Sequence, residues 1–236
     1  MVRRICAASY GNLVDLIMLD ERLEGRTKPV DSLNDPSFND PNRAILGETQ
    51  RSWLEAKLKN GSGTWKVIGN QAMFSDLIHT PEFRRTPRNF DSWDGYPAEK
   101  AKVIDYIRAN KLTNILFVTG DTHASWAIEV PGPGYNAQTS TGAIAVELGT
   151  TSISSGNDDE RKSLDEVNKI EASILKANPH IRYFNDRDHG YLLLTVKSDR
   201  AIAEWFYVET LRQPVTAEKL GRRVWVESGR SRLNIP

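Results

Sequence analysis

The chain has 236 residues, of which 39% are hydrophobic and 26% are charged, a balance typical of folded globular proteins. Its 31 Lys and Arg residues equal its 31 Asp and Glu residues, so its overall charge favours binding neither to nucleic acid nor to a membrane surface. The single cysteine, Cys6, excludes an internal disulfide and a zinc site built on several cysteines. We expect Cys6 to be a small core residue.

The start of the sequence has no long apolar segment of the kind found in secretory signals, because Asp15 interrupts its apolar part. No stretch approaches the roughly 20 apolar residues that a membrane-spanning helix needs. As written, the chain is therefore expected to be cytoplasmic.

The first half of the chain alternates between strand and helix patterns. Strands are predicted over 13–19, 64–69 and 114–118, helices over 48–61 and 97–110, and a long loop over 25–47. Residues 143–153 are predicted to form a strand followed by a turn. Pro97 suits the first turn of its helix, and Asn60–Gly61 is a typical helix end.

The second half contains one more helix pattern, over 158–179, followed by a β-rich end. The apolar residues Leu164, Val167, Ile170, Ile174 and Leu175 are predicted to form the buried face of this helix. Strands over 190–196, 201–208 and 222–227 are predicted to be antiparallel neighbours. We expect an α/β fold, with mixed β-sheet layers flanked by helices, in a single domain over residues 1–236.

Two good metal ligands follow the apolar run that ends at Val118. On an extended backbone, Asp121 and His123 would face one point while Thr122 faces away. A carboxylate beside an imidazole suits a divalent or trivalent ion, which lowers the pKa of a bound water to about 7. The alternative is that Asp121 caps a turn and His123 is an ordinary hydrogen-bonded histidine.

Several separate blocks of the sequence resemble PhoD-like alkaline phosphatases and phosphodiesterases, a family of the calcineurin-like metallophosphoesterase superfamily. The blocks are "LIMLDERLEGR" (16–26), "LGETQRSWL" (46–54), "WKVIGNQAMF" (65–74), "DSWDGYPAEKAKVIDYI" (91–107), "VTGDTHASWA" (118–127), "VELGTTSISS" (146–155) and "NPHIRYFNDRDHGYLLLTV" (178–196). They follow the order and spacing of the family. The resemblance implies a fold like the C-terminal half of the metallophosphoesterase β-sandwich.

The resemblance also implies functions for particular residues. The family carries Gly-Asp-x-His where this sequence has Gly120, Asp121 and His123, which makes Asp121 and His123 the implied metal ligands. In related proteins a metal-binding His ends the strand that corresponds to "VIGNQ". This position implies a third ligand at Asn70, or alternatively at Gln71.

The block "DSWDGY" resembles a family segment near the mouth of the active site. Trp93, Asp94 and Tyr96 are therefore expected to bind substrate, together with Asp91. The alternative is that the segment only starts the following helix, with Asp94 and Pro97 capping it. His79, His189 and the basic residues Arg84, Arg85 and Arg88 are further candidates, although each suits an ordinary surface or structural position as well.

The family also has an N-terminal half that supplies further metal ligands, and none of its motifs occurs here. The resemblance therefore covers a C-terminal half, which we expect to supply mainly one of the two sheets. One sheet alone would expose an apolar face, so we expect a homodimer or higher oligomer to form through that face. Trp126, Trp205 and Trp225 lie in or beside the strand patterns and would add to its apolar surface.

The implied function is metal-dependent hydrolysis of small phosphate esters, with phosphodiesters preferred over monoesters, by water activated at calcium, iron, manganese or zinc. Two alternatives stay open. The chain could be a non-catalytic oligomeric remnant, or it could act only with a partner that supplies the other half.

Overall fold

The computed structural model describes residues 5–214 and 216–236, and their strands form two sheets. The larger sheet has the strand order β1-β2-β3-β4-β6-β5-β7, and the smaller has the order β11-β10-β9-β8. The strands are β1 Cys6–Tyr10, β2 Val14–Met18, β3 Trp65–Asn70, β4 Ile115–Thr119, β5 Ser125–Asn136, β6 Thr141–Gly149, β7 Ile181–Asn185, β8 His189–Val196, β9 Arg200–Val208, β10 Glu218–Glu227 and β11 Leu233–Asn234. The helices are α1 Gly47–Asn60, α2 Pro97–Ala109 and α3 Leu164–Ala177. The predicted α/β fold of mixed sheets flanked by helices is confirmed.

The centre of the larger sheet is parallel. Strands β2, β3, β4 and β6 run in one direction, and α1 and α2 connect the first three of them. A parallel pair needs a long crossover connection, which each helix provides. Every residue of β3 is buried, as expected for a strand that is covered on both faces.

Helices α1 and α2 cover one face of this sheet. Their apolar stripes, which include Leu54, Leu58, Val103 and Ile107, pack against strand residues such as Phe117 in one continuous core. Pro97 occupies the first turn of α2, and Gly61 follows α1, as predicted. No helix in the described part of the chain is both long enough and apolar enough to span a membrane.

The smaller sheet covers the other face. Ala203, Trp205 and Val224 of this sheet pack against residues of the larger sheet such as Val67 and Leu116. The expectation that the chain supplies mainly one sheet, and so leaves a large apolar face open, is therefore wrong. The β-rich end folds back as the second layer because its strands alternate apolar and polar residues, which gives each strand one face to bury.

The outer face of the smaller sheet carries several exposed apolar side chains. Tyr191, Leu193 and Leu220 point outward, and Tyr191 stacks on Phe206 at a centroid distance of 5.5 Å. The homodimer stays a prediction. Its reason, a sheet with an uncovered apolar face, does not hold for the described residues, because the two sheets cover each other.

Helix α3 begins later than predicted. Its first residue is Leu164, because Ser163 and Glu166 form a capping box in which each side chain accepts a hydrogen bond from the other's backbone N–H. Val167, Ile170 and Ile174 are buried and Leu175 is partly buried, as predicted. Leu164, predicted to be inward, is 57% exposed because it lies in the first turn, beyond the packed stripe.

Four strands, β1, β5, β7 and β11, go beyond the sequence prediction. Strand β5 passes through Pro131, where its pairing with β6 is irregular, as is usual for proline in a sheet. Strand β7 pairs only with β5, and β1 pairs only with β2 at the edge of the sheet. Cys6, expected in the core, is exposed in β1.

The contact between the two sheets can be tested at Trp205. This side chain is fully buried, and its indole N–H donates a hydrogen bond of 2.8 Å to the carbonyl of Gly149. Trp205→Ala should lower the free energy of unfolding by about 3–5 kcal/mol, measured by urea denaturation. Trp225→Ala, on the outer face of the same sheet, is the control and should cost about 1 kcal/mol. Equal losses in the two variants would contradict this packing.

Candidate active site

The loops that follow four parallel strands meet at one edge of the larger sheet. The strand register places Met18 beside Gly69, Asn70 beside Thr119, and Thr119 beside Gly149. The segments that come next, which include Asp20–Arg22, Asn70–Gln71 and Gly120–His123, therefore lie at the same edge. In open α/β sheets, the crevice outside the carboxyl ends of the strands is the usual ligand site.

The segment after β4 is a tight turn, where an extended backbone was expected. Asp121 and His123 have left-handed backbone angles, with φ values of 69° and 59°, and the N–H of Thr122 donates to the carbonyl of Gly120 at 2.8 Å. Each such conformation costs about 1–3 kcal/mol in a residue other than glycine. Two strained residues within three positions mark this turn as a candidate functional site. The turn still brings Asp121 and His123 to the same cavity.

The imidazole of His123 has a defined orientation. Its Nδ1–H donates to the carbonyl of Gly156 at 3.3 Å, so the neutral ring keeps its lone pair on Nε2. Histidine ligands of metals are usually oriented in this way by a backbone carbonyl. The side chain is exposed, so Nε2 is accessible to a ligand.

A cavity of about 560 Å³ opens beside this turn. Asp121, Thr122 and His123 line one side of it, and Asp91 lies on its wall. His79, Arg84 and Arg88 also line it, so the basic loop contributes two of its three arginines to the cavity wall. Asp31 lines the cavity as well, and Arg84 and Arg88 are paired with carboxylates outside the lining, so the cavity combines a carboxylate–imidazole pair with charges of both signs.

An arginine that the sequence analysis did not single out contacts the predicted metal ligand. Arg22 Nη2 lies 2.8 Å from Asp121 Oδ1, and Arg22 Nη1 pairs with Asp91. Arg26 pairs with the other oxygen of Asp91. The block "LDERLEGR" contains both arginines, but their distance in sequence from Asp121 hides the contact.

Asn70 lies at the end of β3, in the layer beneath the cavity surface. It is 5% exposed, its amide N–H donates to the carbonyl of Ala72, and its Oδ1 accepts from the indole of Trp93 at 3.3 Å. Gln71 holds the loop after β2, donating to the carbonyl of Leu19. Metal ligation by Asn70 stays a prediction, and the contacts of its amide are to the protein.

Glu21 is a second residue that the sequence analysis did not single out. It is fully buried, and its carboxylate accepts hydrogen bonds from the indole of Trp93 and from the N–H of Ala72 at 2.6 Å. Burial raises the pKa of Glu21 to about 7, and the negative charge of Glu147 adds to this effect. A buried carboxyl group next to the cavity thus titrates near neutrality.

The three predicted substrate-binding residues are buried outside the cavity lining. Trp93 and Tyr96 belong to the core under α2, and the phenol of Tyr96 donates to the carbonyl of Thr27 at 2.8 Å. Asp94 is 3% exposed and pairs with Lys100 at 2.7 Å. Pro97 occupies the first turn of the following helix, as the alternative has it, but Asp94 does not cap that helix. Substrate binding by the three residues stays a prediction. Asp91 and Ser92 are the members of this block that line the cavity.

The other candidate histidines occupy different places. His79 lines the cavity, its ring nitrogen contacts the carbonyl of Thr86 at 2.8 Å, and burial lowers its pKa. His189 does not line this cavity, and its Nε2 lies 3.3 Å from Asp159 Oδ1.

The described residues contain two donors that would suit a metal ion. Among them, no group of three or more His, Cys, Asp or Glu side chains is arranged to hold an ion. Asp121 and His123 are two suitable donors, and Arg22 already neutralises one of them. The pair fits the incomplete ligand set that the family resemblance implies.

Comparisons with known proteins agree with this arrangement. The model of the PhoD-like phosphatase family matches residues 3–205. The chain belongs to the PhoD-like phosphatase family. It is 33% identical over 218 residues to alkaline phosphatase D of Bacillus subtilis (strain 168). All of this chain superimposes on part of the solved structure of PhoD, with a TM-score of 0.82 and 29% sequence identity.

The chain matches only part of each relative's length. The match to the Bacillus protein covers 89% of this chain but 35% of that protein. The match to the solved PhoD structure covers 44% of the PhoD chain. The match lies in the C-terminal half, as the family resemblance implies.

Two acidic side chains lie close together near the loop that carries Gly156. Asp158, at the end of this loop, lies against Asp186, which is 2% exposed. Burial and the neighbouring Asp158 raise the pKa of Asp186 to about 7, and Arg84 opposes the shift. Burial and the nearby negative charge thus favour the protonated form of Asp186 near neutral pH.

This pair predicts a pH dependence of stability. The pKa of Asp186 is about 7 in the folded chain against 3.8 for an ordinary aspartate, so its stabilisation is complete below pH 3.8 and is lost as the pH rises through 7. Asp186→Asn keeps a donor toward Asp158 at every pH. Urea unfolding at pH 5 and pH 8 should therefore show a smaller loss in this variant than in the wild type. The control is Asp199→Asn, at an exposed turn, which should keep the wild-type loss. An unchanged loss in Asp186→Asn would contradict the raised pKa of Asp186.

Proposed function

We propose that this chain takes part in metal-dependent hydrolysis of small phosphate esters, with phosphodiesters preferred over monoesters. The observation that carries the proposal is the pair Asp121 and His123 on one wall of a cavity, at the carboxyl edge of the sheet, in a member of the PhoD-like phosphatase family. A bound divalent or trivalent ion, whether calcium, iron, manganese or zinc, would polarise the phosphoryl group and activate a water.

The chain's own residues have distinct parts in this proposal. Asp121 supplies a carboxylate oxygen, and His123 supplies Nε2, oriented by the carbonyl of Gly156. Arg84 and Arg88 supply guanidinium N–H donors to the cavity wall, and each is also paired with a carboxylate. Asp121 and His123 are a partial donor set, and further ligands would come from Asn70 or from a partner chain.

The second candidate is a non-catalytic or partner-dependent member of the family. The pairing of Arg22 with Asp121 favours it, because an arginine can stabilise the carboxylate in the absence of an ion. The two candidates differ in whether the chain turns over an ester by itself when ions are supplied.

Hydrolysis of a chromogenic phosphodiester tests the first candidate. The purified chain should turn over bis(p-nitrophenyl) phosphate faster than p-nitrophenyl phosphate when calcium, iron, manganese or zinc ions are added, and chelation should abolish the activity. Asp121→Ala and His123→Ala should each lower kcat/KM by at least about 100-fold, because each removes an ion ligand.

The control is His79→Ala, which alters the same cavity at a residue given no part in ion binding. It should retain turnover within about tenfold of the wild type, a barrier change of at most about 1.4 kcal/mol, because it removes no ion ligand. Turnover that survives in Asp121→Ala, with circular dichroism unchanged, would count against the proposal. Absence of turnover with every ion would favour the second candidate.

A further inference from the structure

The base of the Arg22 side chain is held in place by a structured turn after β2. The carboxylate of Asp20 accepts hydrogen bonds from the backbone N–H of Arg22 at 3.0 Å and of Leu23 at 2.9 Å. The backbone of Asp20 is in turn bound on both sides by the amide of Gln50 in α1, with both hydrogen bonds at 2.8 Å. This turn aims Arg22 at the cavity edge.

The guanidinium group bridges two carboxylates from distant segments. Its Nη1 pairs with Asp91, and its Nη2 lies 2.8 Å from Asp121 Oδ1. Arg26 supplies a second cation to Asp91. Among the ion pairs of the described residues, Arg22 is the one cation on Asp121.

The contact with Asp121 is exchangeable. The side chain of Arg22 is 33% exposed and that of Asp121 is 38% exposed, so water reaches the pair. Ion pairs with this exposure stabilise a protein by at most about 1 kcal/mol. A bound anion with stronger hydrogen bonds can therefore take over the Nη2 side of the guanidinium, while Asp91 continues to orient the other side.

We propose that Arg22 binds the phosphoryl oxygens of the ester, and that its pairing with Asp121 is the contact it makes when no phosphate is bound. The inference rests on the proposed function, since it names the anion that this same site takes. A guanidinium group matches phosphate through two parallel N–H···O bonds, here from Nη2 and Nε because Nη1 stays with Asp91, and lysine lacks this geometry. Arg22 would thereby couple the binding of the metal ion to the binding of phosphate. An ion on Asp121 would displace Nη2 from that carboxylate and free it for phosphate.

This arrangement predicts opposite effects on two ligands. Removing the positive charge of Arg22 should weaken phosphate binding. The same change should strengthen the binding of a cation to Asp121, because the competing arginine is gone. A residue that only supports the fold would weaken both.

The test is calorimetric titration of the full chain with inorganic phosphate and, separately, with Mn²⁺. Arg22→Gln should raise the phosphate Kd by about 10-fold or more, the effect expected for hydrogen bonds to a charged group, and should lower the Mn²⁺ Kd severalfold. Arg22→Lys should weaken phosphate severalfold and leave Mn²⁺ near the wild type, since it keeps the charge and loses the paired geometry. The control is Arg223→Gln, which breaks a comparable ion pair with Glu204 on the smaller sheet and should change neither Kd.

Several outcomes would overturn the inference. These are an unchanged phosphate Kd in Arg22→Gln, absence of phosphate binding by the wild type, or a loss of both ligands. If Arg22→Gln does not fold, Arg22→Lys decides the question by the ratio of its phosphate Kd to that of the wild type. Turnover by the wild type, with an unchanged KM in the Arg22 variants, would overturn this inference and leave the proposed function standing. Phosphate binding that depends on Arg22, in a chain with no turnover, would support it and count against the proposed function.

Discussion

The structure depends on the parallel pairing of β2, β3, β4 and β6. Parallel register brings the carboxyl ends of these strands to one edge, so the loops that follow them become neighbours although they are far apart in sequence. The buried carboxylate of Glu147 in β6 reinforces this alignment, because it accepts hydrogen bonds from Thr119 at 2.7 Å and from the N–H groups of Phe74 and Ser75. Without this register, Asp121 would not meet Arg22.

The site itself combines strain, charge and buried acid groups. The turn at Gly120–His123 adopts backbone angles that side chains disfavour, and packing around it keeps that conformation. The indole of Trp126, buried and stacked on Phe184 at 3.9 Å, donates to the hydroxyl of Thr122 at 2.8 Å. The turn is therefore anchored to the core while the side chains on either side of Thr122 remain accessible.

Some of this could be predicted from the sequence, for physical reasons. The helices around Leu54 and Val103 and the alternating strand 201–208 carry local patterns that survive in the fold. The Gly-Asp-x-His block points to Asp121 and His123 because it combines a turn residue with two ligand types. Ser163 and Glu166 have the spacing of a capping box, which marks the start of α3. The amphipathic pattern extends further toward the N-terminus and led to an earlier predicted start. Strand β7 has no such local signal, since its pairing partner β5 lies about 50 residues earlier in the chain.

The sequence by itself determined the fold class and the family, and it made Asp121 and His123 the candidate ligands, because these depend on local patterns and on short blocks that follow the order and spacing of the family. Only the tertiary structure decided that the chain has two sheets, and that Trp93, Asp94 and Tyr96 are buried. It also decided that Arg22 contacts Asp121. These features depend on which distant segments the parallel register brings together, and burial and ion pairing between such segments leave no periodic or local mark in a sequence.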